Sequence, residues 1–88
     1  MNGRALVAWN LRRLRIERGV SQERLAADAG VDRAYVSELE RELGNASVDL
    51  LDRLAAVLNV AVGELLKAQP NEYAAIEPLR AGRKPKQP

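Results

Sequence analysis

The run from Gln22 to Leu39 restricts the fold more than any other part of the chain. Leu25, Ala29, Val31, Val36 and Leu39 recur at helical spacing on either side of Gly30. Ala26 is small where two helices built this way would cross, and Gly30 suits a left-handed turn between them. Ser21 precedes the first segment and Asp32 the second, each offering an oxygen to an otherwise unpaired backbone N–H. Two short helices joined by a tight turn are therefore expected, the first at 22–29 and the second from 33 to about 43.

The remaining punctuation predicts three more helices. One runs from about Arg4 to Arg18 and stops at Gly19, with Trp9 covering the core from it. Ser47 opens another that reaches about Leu58, and a short fifth spans Val62 to Lys67. Aromatic residues are only 3% and Val, Ile and Thr never alternate, so no strand is expected. The 88 residues suffice for one small domain, which buries roughly 60% of the surface its unfolded chain exposes. With no cysteine and no histidine, disulfides, thiolate metal sites, thiol nucleophiles and the usual general base are all excluded. The composition points away from an enzyme and implies neither metal nor cofactor. No apolar run reaches the ~18 residues of a membrane span, and Ala5 to Trp9 is too short for a signal peptide. A cytoplasmic protein is expected.

Charge divides the chain at about Ala68. Residues 1–68 carry ten Lys/Arg against ten Asp/Glu, whereas residues 69–88 carry four against two, which is the whole net +2. The tail holds Pro70, Pro78, Pro85 and Pro88, with Arg80, Arg83, Lys84 and Lys86 as its cations. It lacks a core of its own, although Tyr73, Ile76 and Leu79 are apolar enough either to dock on the body or to stay solvated. In the neutral part, Arg4, Arg12, Arg13, Arg15 and Arg18 crowd the first helix and suggest a locally basic edge that attracts phosphate.

The paired segments at 22–39 form a helix-turn-helix pattern, whose DNA-reading version lays its second helix in the major groove. The chain resembles the Cro/C1-type, or Xre, helix-turn-helix family from about Asn10 to Leu66. The likeness rests on Leu11-Arg12-Arg13-Leu14-Arg15, on Gly19-Val20-Ser21-Gln22-Glu23-Arg24-Leu25-Ala26, and on Gly30-Val31-Asp32-Arg33-Ala34-Tyr35-Val36-Ser37. It continues through Leu39-Glu40-Arg41, Ser47-Val48, Leu50-Leu51, Leu54-Ala55, Leu58-Asn59-Val60 and Glu64-Leu65-Leu66. It implies an all-α, lambda-repressor-like bundle of five helices that binds operator DNA, commonly as a dimer. Two positions depart from the family. Glu42 stands where the family usually has glycine, and Ala46 where it usually has proline, so the third helix is expected to run about a turn longer, to Leu43 or Gly44.

By position, Arg33, Ala34, Ser37 and Glu38 are the candidate base readers on the outward face of the third helix. Ser21 and Gln22 sit at a helix N-terminus, where N–H groups and the helix dipole favour a phosphate oxygen. The resemblance implies that Gln22 both clamps the DNA backbone and braces the third helix. Tyr35 and Arg41 flank the reading face and either contact phosphate or pack on neighbouring helices. Asn45 lies where the family often touches the sugar-phosphate chain, and serves equally as a turn residue. The resemblance also implies a largely buried ion pair between Arg15 and Glu40.

Leu50, Leu54 and Val57 form a second apolar stripe beside the helix's expected core set Val48, Leu51, Ala55 and Leu58, and Val62 and Leu66 extend that stripe. A two-fold homodimer through this stripe is expected. The function expected is sequence-specific transcriptional regulation on double-stranded DNA. The alternative is an interaction module of the same fold, an antiactivator or antitoxin acting on a protein partner. Asp32, Glu38 and Glu42 in the third-helix region keep it open.

Overall fold

The computed structural model describes residues 2–68, so the tail residues Tyr73, Ile76, Leu79, Arg80, Arg83, Lys84 and Lys86 lie outside the described residues. Four α-helices follow one another: α1 Gly3–Glu17, α2 Gln22–Ala29, α3 Arg33–Glu40 and α4 Val48–Val57. A 3₁₀ helix, Val62–Leu66, stands where a fifth α-helix was expected. No strand occurs among the described residues.

Each start is local chemistry. Asn2 Oδ1 accepts the Ala5 N–H at 2.9 Å, Ser21 Oγ that of Arg24 at 3.0 Å, and Ser47 Oγ that of Leu50 at 3.0 Å. Asp32 is the exception. It occupies the N-cap of α3, but its side chain makes no capping bond, and only its carbonyl takes the first turn's N–H groups.

The four α-helices also end alike. A left-handed residue closes each one: Gly30 as the C-cap of α2, and Gly19, Glu42 and Asn59 directly after the C-caps of α1, α3 and α4. Its N–H and the next one turn back onto carbonyls inside the helix: Val20 to Arg15, Val31 to Ala26, Leu43 to Glu38 and Val60 to Ala55. This double closure satisfies carbonyls that a helix end leaves orphaned. It also corrects the expected length of α3. The helix stops at Glu40, because Glu42 adopts φ +65° and closes the motif without a glycine. Gly44 then lies buried against Leu39, where an added Cβ would meet Leu39 Cδ2 at 2.7 Å. A non-glycine residue in the left-handed conformation that Glu42 adopts costs about 1–2 kcal/mol, which glycine escapes at some entropic expense. Glu42→Gly should therefore stabilise the domain by about 0.5–1 kcal/mol in urea unfolding, whereas Gly30→Ala should destabilise it by at least as much.

One core joins every element: Val7, Leu11 and Leu14; Leu25, Ala26 and Ala29; Val36 and Leu39; Leu50, Leu51, Leu54 and Ala55; Leu58; and Leu65. Three expectations about packing change. Trp9 does not cover the core. It lies about 200° round α1 from Val7 and from Leu11, and is 47% exposed. Leu50 and Leu54, expected in an intermolecular stripe, are buried in the chain's own core, because α4 packs between α2 and the 3₁₀ helix and needs a wide apolar arc. Val48, expected inside, is exposed.

Candidate nucleic-acid interface

α2 and α3 are set by their shared turn and by a polar hub beneath α3. Glu40 accepts three bonds: from Arg15 Nε at 2.7 Å, from Arg15 Nη2 at 3.1 Å and from Gln22 Nε2 at 3.0 Å. Arg15 donates a further bond to the Val20 carbonyl at 3.0 Å. The side chains of Arg15 and Glu40 are only 15% and 5% exposed. The hydrogen bond to Glu40 raises the Arg15 pKa above its ordinary value, with burial opposing and the charges of Glu40 and Glu23 assisting. One carboxylate thus fixes α1, the start of α2 and the end of α3 together. Gln22 braces α3 as the resemblance implied, and the Arg15–Glu40 pair forms.

Beside the hub on α3, Arg33, Ala34 and Glu38 are exposed and Ser37 is half-buried, while Val36 and Leu39 face the core. The four expected base readers therefore share one accessible face. Arg33 Nε lies 3.3 Å from Glu23 Oε2 on α2, a partner that spacing along one helix does not reveal. Both groups are well exposed, and such a pair is worth about 0–1 kcal/mol, so a base edge can displace it. Arg41 Nε reaches back to the Ser37 carbonyl at 3.4 Å and remains exposed at the end of the same face.

The flanking residues divide. Ser21 is exposed at the α2 N-terminus with its hydroxyl engaged as a cap. Tyr35 donates its phenol O–H to the Asn45 carbonyl at 2.9 Å, so it holds the α3–α4 loop, while Asn45 itself is exposed beside α3. The arginines of α1 do not form one basic edge. Arg15 enters the hub, Arg13 bonds Glu17 and Asn10, and Arg18 donates to the Leu58 carbonyl at the end of α4. Helical spacing, at 100° per residue, sends neighbours in sequence to different faces.

Two further residues escaped the sequence reading. Glu23 is one, as the partner of Arg33. Asn10 is the other: fully buried, it donates to the Leu65 carbonyl at 3.2 Å and the Lys67 carbonyl at 2.9 Å, and accepts from Arg13 at 3.0 Å. Among the described residues no group of acidic side chains could hold a metal ion, and no helix is long and apolar enough to cross a membrane.

A helix-turn-helix family model matches residues 11–65. A hypothetical transcription factor of Neisseria meningitidis serogroup B is 44% identical over 63 residues, 72% of this chain and 59% of that one. The crystal structure of a hypothetical transcription factor from Neisseria superposes with a TM-score of 0.74 at 40% identity, covering 85% of each chain. The transcriptional regulator SinR of Bacillus subtilis is 39% identical over 62 residues, 69% of this chain and 56% of SinR. A structure of SinR in complex with DNA matches with a TM-score of 0.66 at 39% identity, over 69% of this chain and 98% of that one. The matches to the Neisseria factor and to SinR thus span less than two thirds of those proteins' lengths. Control protein C.SmaI of Serratia marcescens is 36% identical over 69 residues, 78% of this chain and 82% of its own. Taken with the paired helices and the hub that sets them, the match over most of its length places the chain in the Cro/C1-type (Xre) helix-turn-helix family.

Proposed function

We propose that this chain is a sequence-specific DNA-binding transcriptional regulator that inserts α3 into the major groove of operator DNA. The observation that carries this reading is the single accessible face of Arg33, Ala34, Ser37 and Glu38 on a helix whose C-terminal end is pinned by Glu40. A rigid support of this kind is what base reading needs, since the donors must meet base edges in fixed register. The SinR relative, solved in complex with DNA, supports the same use of the fold. Arg33 reads a guanine through its O6 and N7, exchanging Glu23 for the base. Glu38 can only accept, and so selects a cytosine or adenine amino group. Ser21, Gln22, Arg41 and Asn45 contact the sugar-phosphate chain and set the register, while Tyr35 acts through the Asn45 loop. The regulator acts as a homodimer through Val57, Val62 and Leu66, the part of the expected stripe that the core leaves accessible. It works without catalysis, metal or cofactor, in the cytoplasm and on the nucleoid when bound. The basic tail adds affinity without sequence preference.

Binding to the gene's own upstream DNA, followed by fluorescence anisotropy across a salt series, tests this. Affinity should fall steeply with salt, with a slope that reports the phosphates neutralised. Arg33→Ala should lose about 1–3 kcal/mol of discrimination at one position of each half-site, whereas Gln22→Ala should weaken all sites alike. Footprints of the homodimer should show two half-sites related by two-fold symmetry, about 34 Å apart. If both variants stay folded and bind within about twofold of the parent, α3 is no reading head. Retention that ignores salt would instead favour a module acting on a protein partner.

A further inference from the structure

The outer face of α1 carries large apolar side chains that the described residues leave uncovered. Trp9 is 47% exposed and Ile16 58% exposed, and with Arg12 and Arg13 they line a groove of about 250 Å³. Arg12 has no acceptor among the described residues, whereas Arg13 is engaged by Glu17 and Asn10. We infer that this groove is a docking site for residues 71–79 of the same chain, seated with Tyr73 and Ile76 against Trp9 and Ile16.

Three observations select this occupant. The first is where the chain leaves the body. Asn10 holds the carbonyls of Leu65 and Lys67, and Arg13, which donates to Asn10, lines the groove, so the last described residues lie against α1 beside it. The second is length. The five residues from 69 to 73 span up to about 17 Å, more than the ~10–12 Å width of a helix, so Tyr73 reaches the outer face without strain. The third is chemical fit. In Asn71-Glu72-Tyr73-Ala74-Ala75-Ile76-Glu77, the sequence has Tyr73 and Ile76 at helical spacing, on one stripe with Glu72 and Glu77 to either side of it. That pattern, an apolar ridge between two carboxylates, complements an apolar floor beside two guanidinium groups. Pro78 ends that spacing in the sequence.

Trp9 is the chain's one tryptophan, so its emission reads the groove directly in the full-length protein. Quenching by neutral acrylamide should be weak in the parent chain and independent of protein dilution. Ile76→Asp should raise the quenching constant at least about twofold and shift the emission to the red, since Trp9 returns to half-exposure. Ala74→Asp, on the opposite side of the turn, should leave both unchanged. Circular dichroism confirms that all three proteins remain folded. Parent-like quenching in Ile76→Asp, or an equal rise in both variants, would overturn the assignment. Protection that disappears on dilution would overturn it in favour of a second copy of the chain in the groove.

Discussion

Glu40→Ala should cost the domain about 3–5 kcal/mol, the largest loss expected from any single substitution on its polar side chains. The change removes one carboxylate but strands two donors. Arg15 loses both bonds to a nearly dry site, and Gln22 loses its tie to α3. An uncompensated buried charge is more expensive than a missing pair, so Arg15→Met combined with Glu40→Met should recover most of the loss. Domains of this kind are stable by only about 5–15 kcal/mol, and the single variant should be partly unfolded at physiological temperature. Urea denaturation followed by far-ultraviolet circular dichroism measures both. A single-variant loss below about 1 kcal/mol would show the hub to be no stronger than a surface pair. A double variant that is folded but binds DNA poorly would separate the hub's positioning of α3 from its contribution to stability.

Asn10→Leu should be the next most damaging, at about 2–3 kcal/mol. Leucine fits the space but leaves the Leu65 and Lys67 carbonyls without the amide that now satisfies them, at about 1–3 kcal/mol for each buried group and partly offset by the added apolar surface. Because Asn10 ties α1 to the end of the 3₁₀ helix, the damage should be regional. Amide hydrogen exchange should show protection lost first at residues 62–67 and the adjoining turn of α1. Uniform loss across α2 and α3 would mean that Asn10 supports the whole core.

What could be read in advance follows from the range of the forces involved. α2 appears at 22–29 as read, because its start is Ser21 Oγ on a backbone N–H three residues away and its end is a glycine at φ +75°. Ser47 opens α4 for the same reason. The outward face of α3 was equally legible, since Val36 and Leu39 fix the inward side and helical geometry does the rest. The resemblance, and not the spacing, supplied the Arg15–Glu40 pair, whose partners are 25 residues apart.

The misread positions share a cause. Glu42 takes a left-handed conformation that its side chain disfavours, because Gly44 must pack on Leu39 and the Asn45 carbonyl must meet the Tyr35 phenol; propensity alone argued for a longer helix. Trp9 is the most apolar-looking residue of α1 by size, yet its angle on the helix turns it away from Leu11 and Leu14. Leu54 and Val48 exchanged their expected environments, because which arc of α4 is buried depends on α2 and the 3₁₀ helix, not on the stripe itself.

By itself, then, the sequence determined the helix starts, the Gly30 turn, the all-α class and the residues that α3 turns outward. These are governed by hydrogen bonds and steric preferences within a few positions of one another. Only the tertiary structure decided where α3 ends, that Glu23 holds Arg33 and that Asn10 ties the 3₁₀ helix to α1. Each depends on groups brought together by packing across the chain, a separation over which no local periodicity carries information.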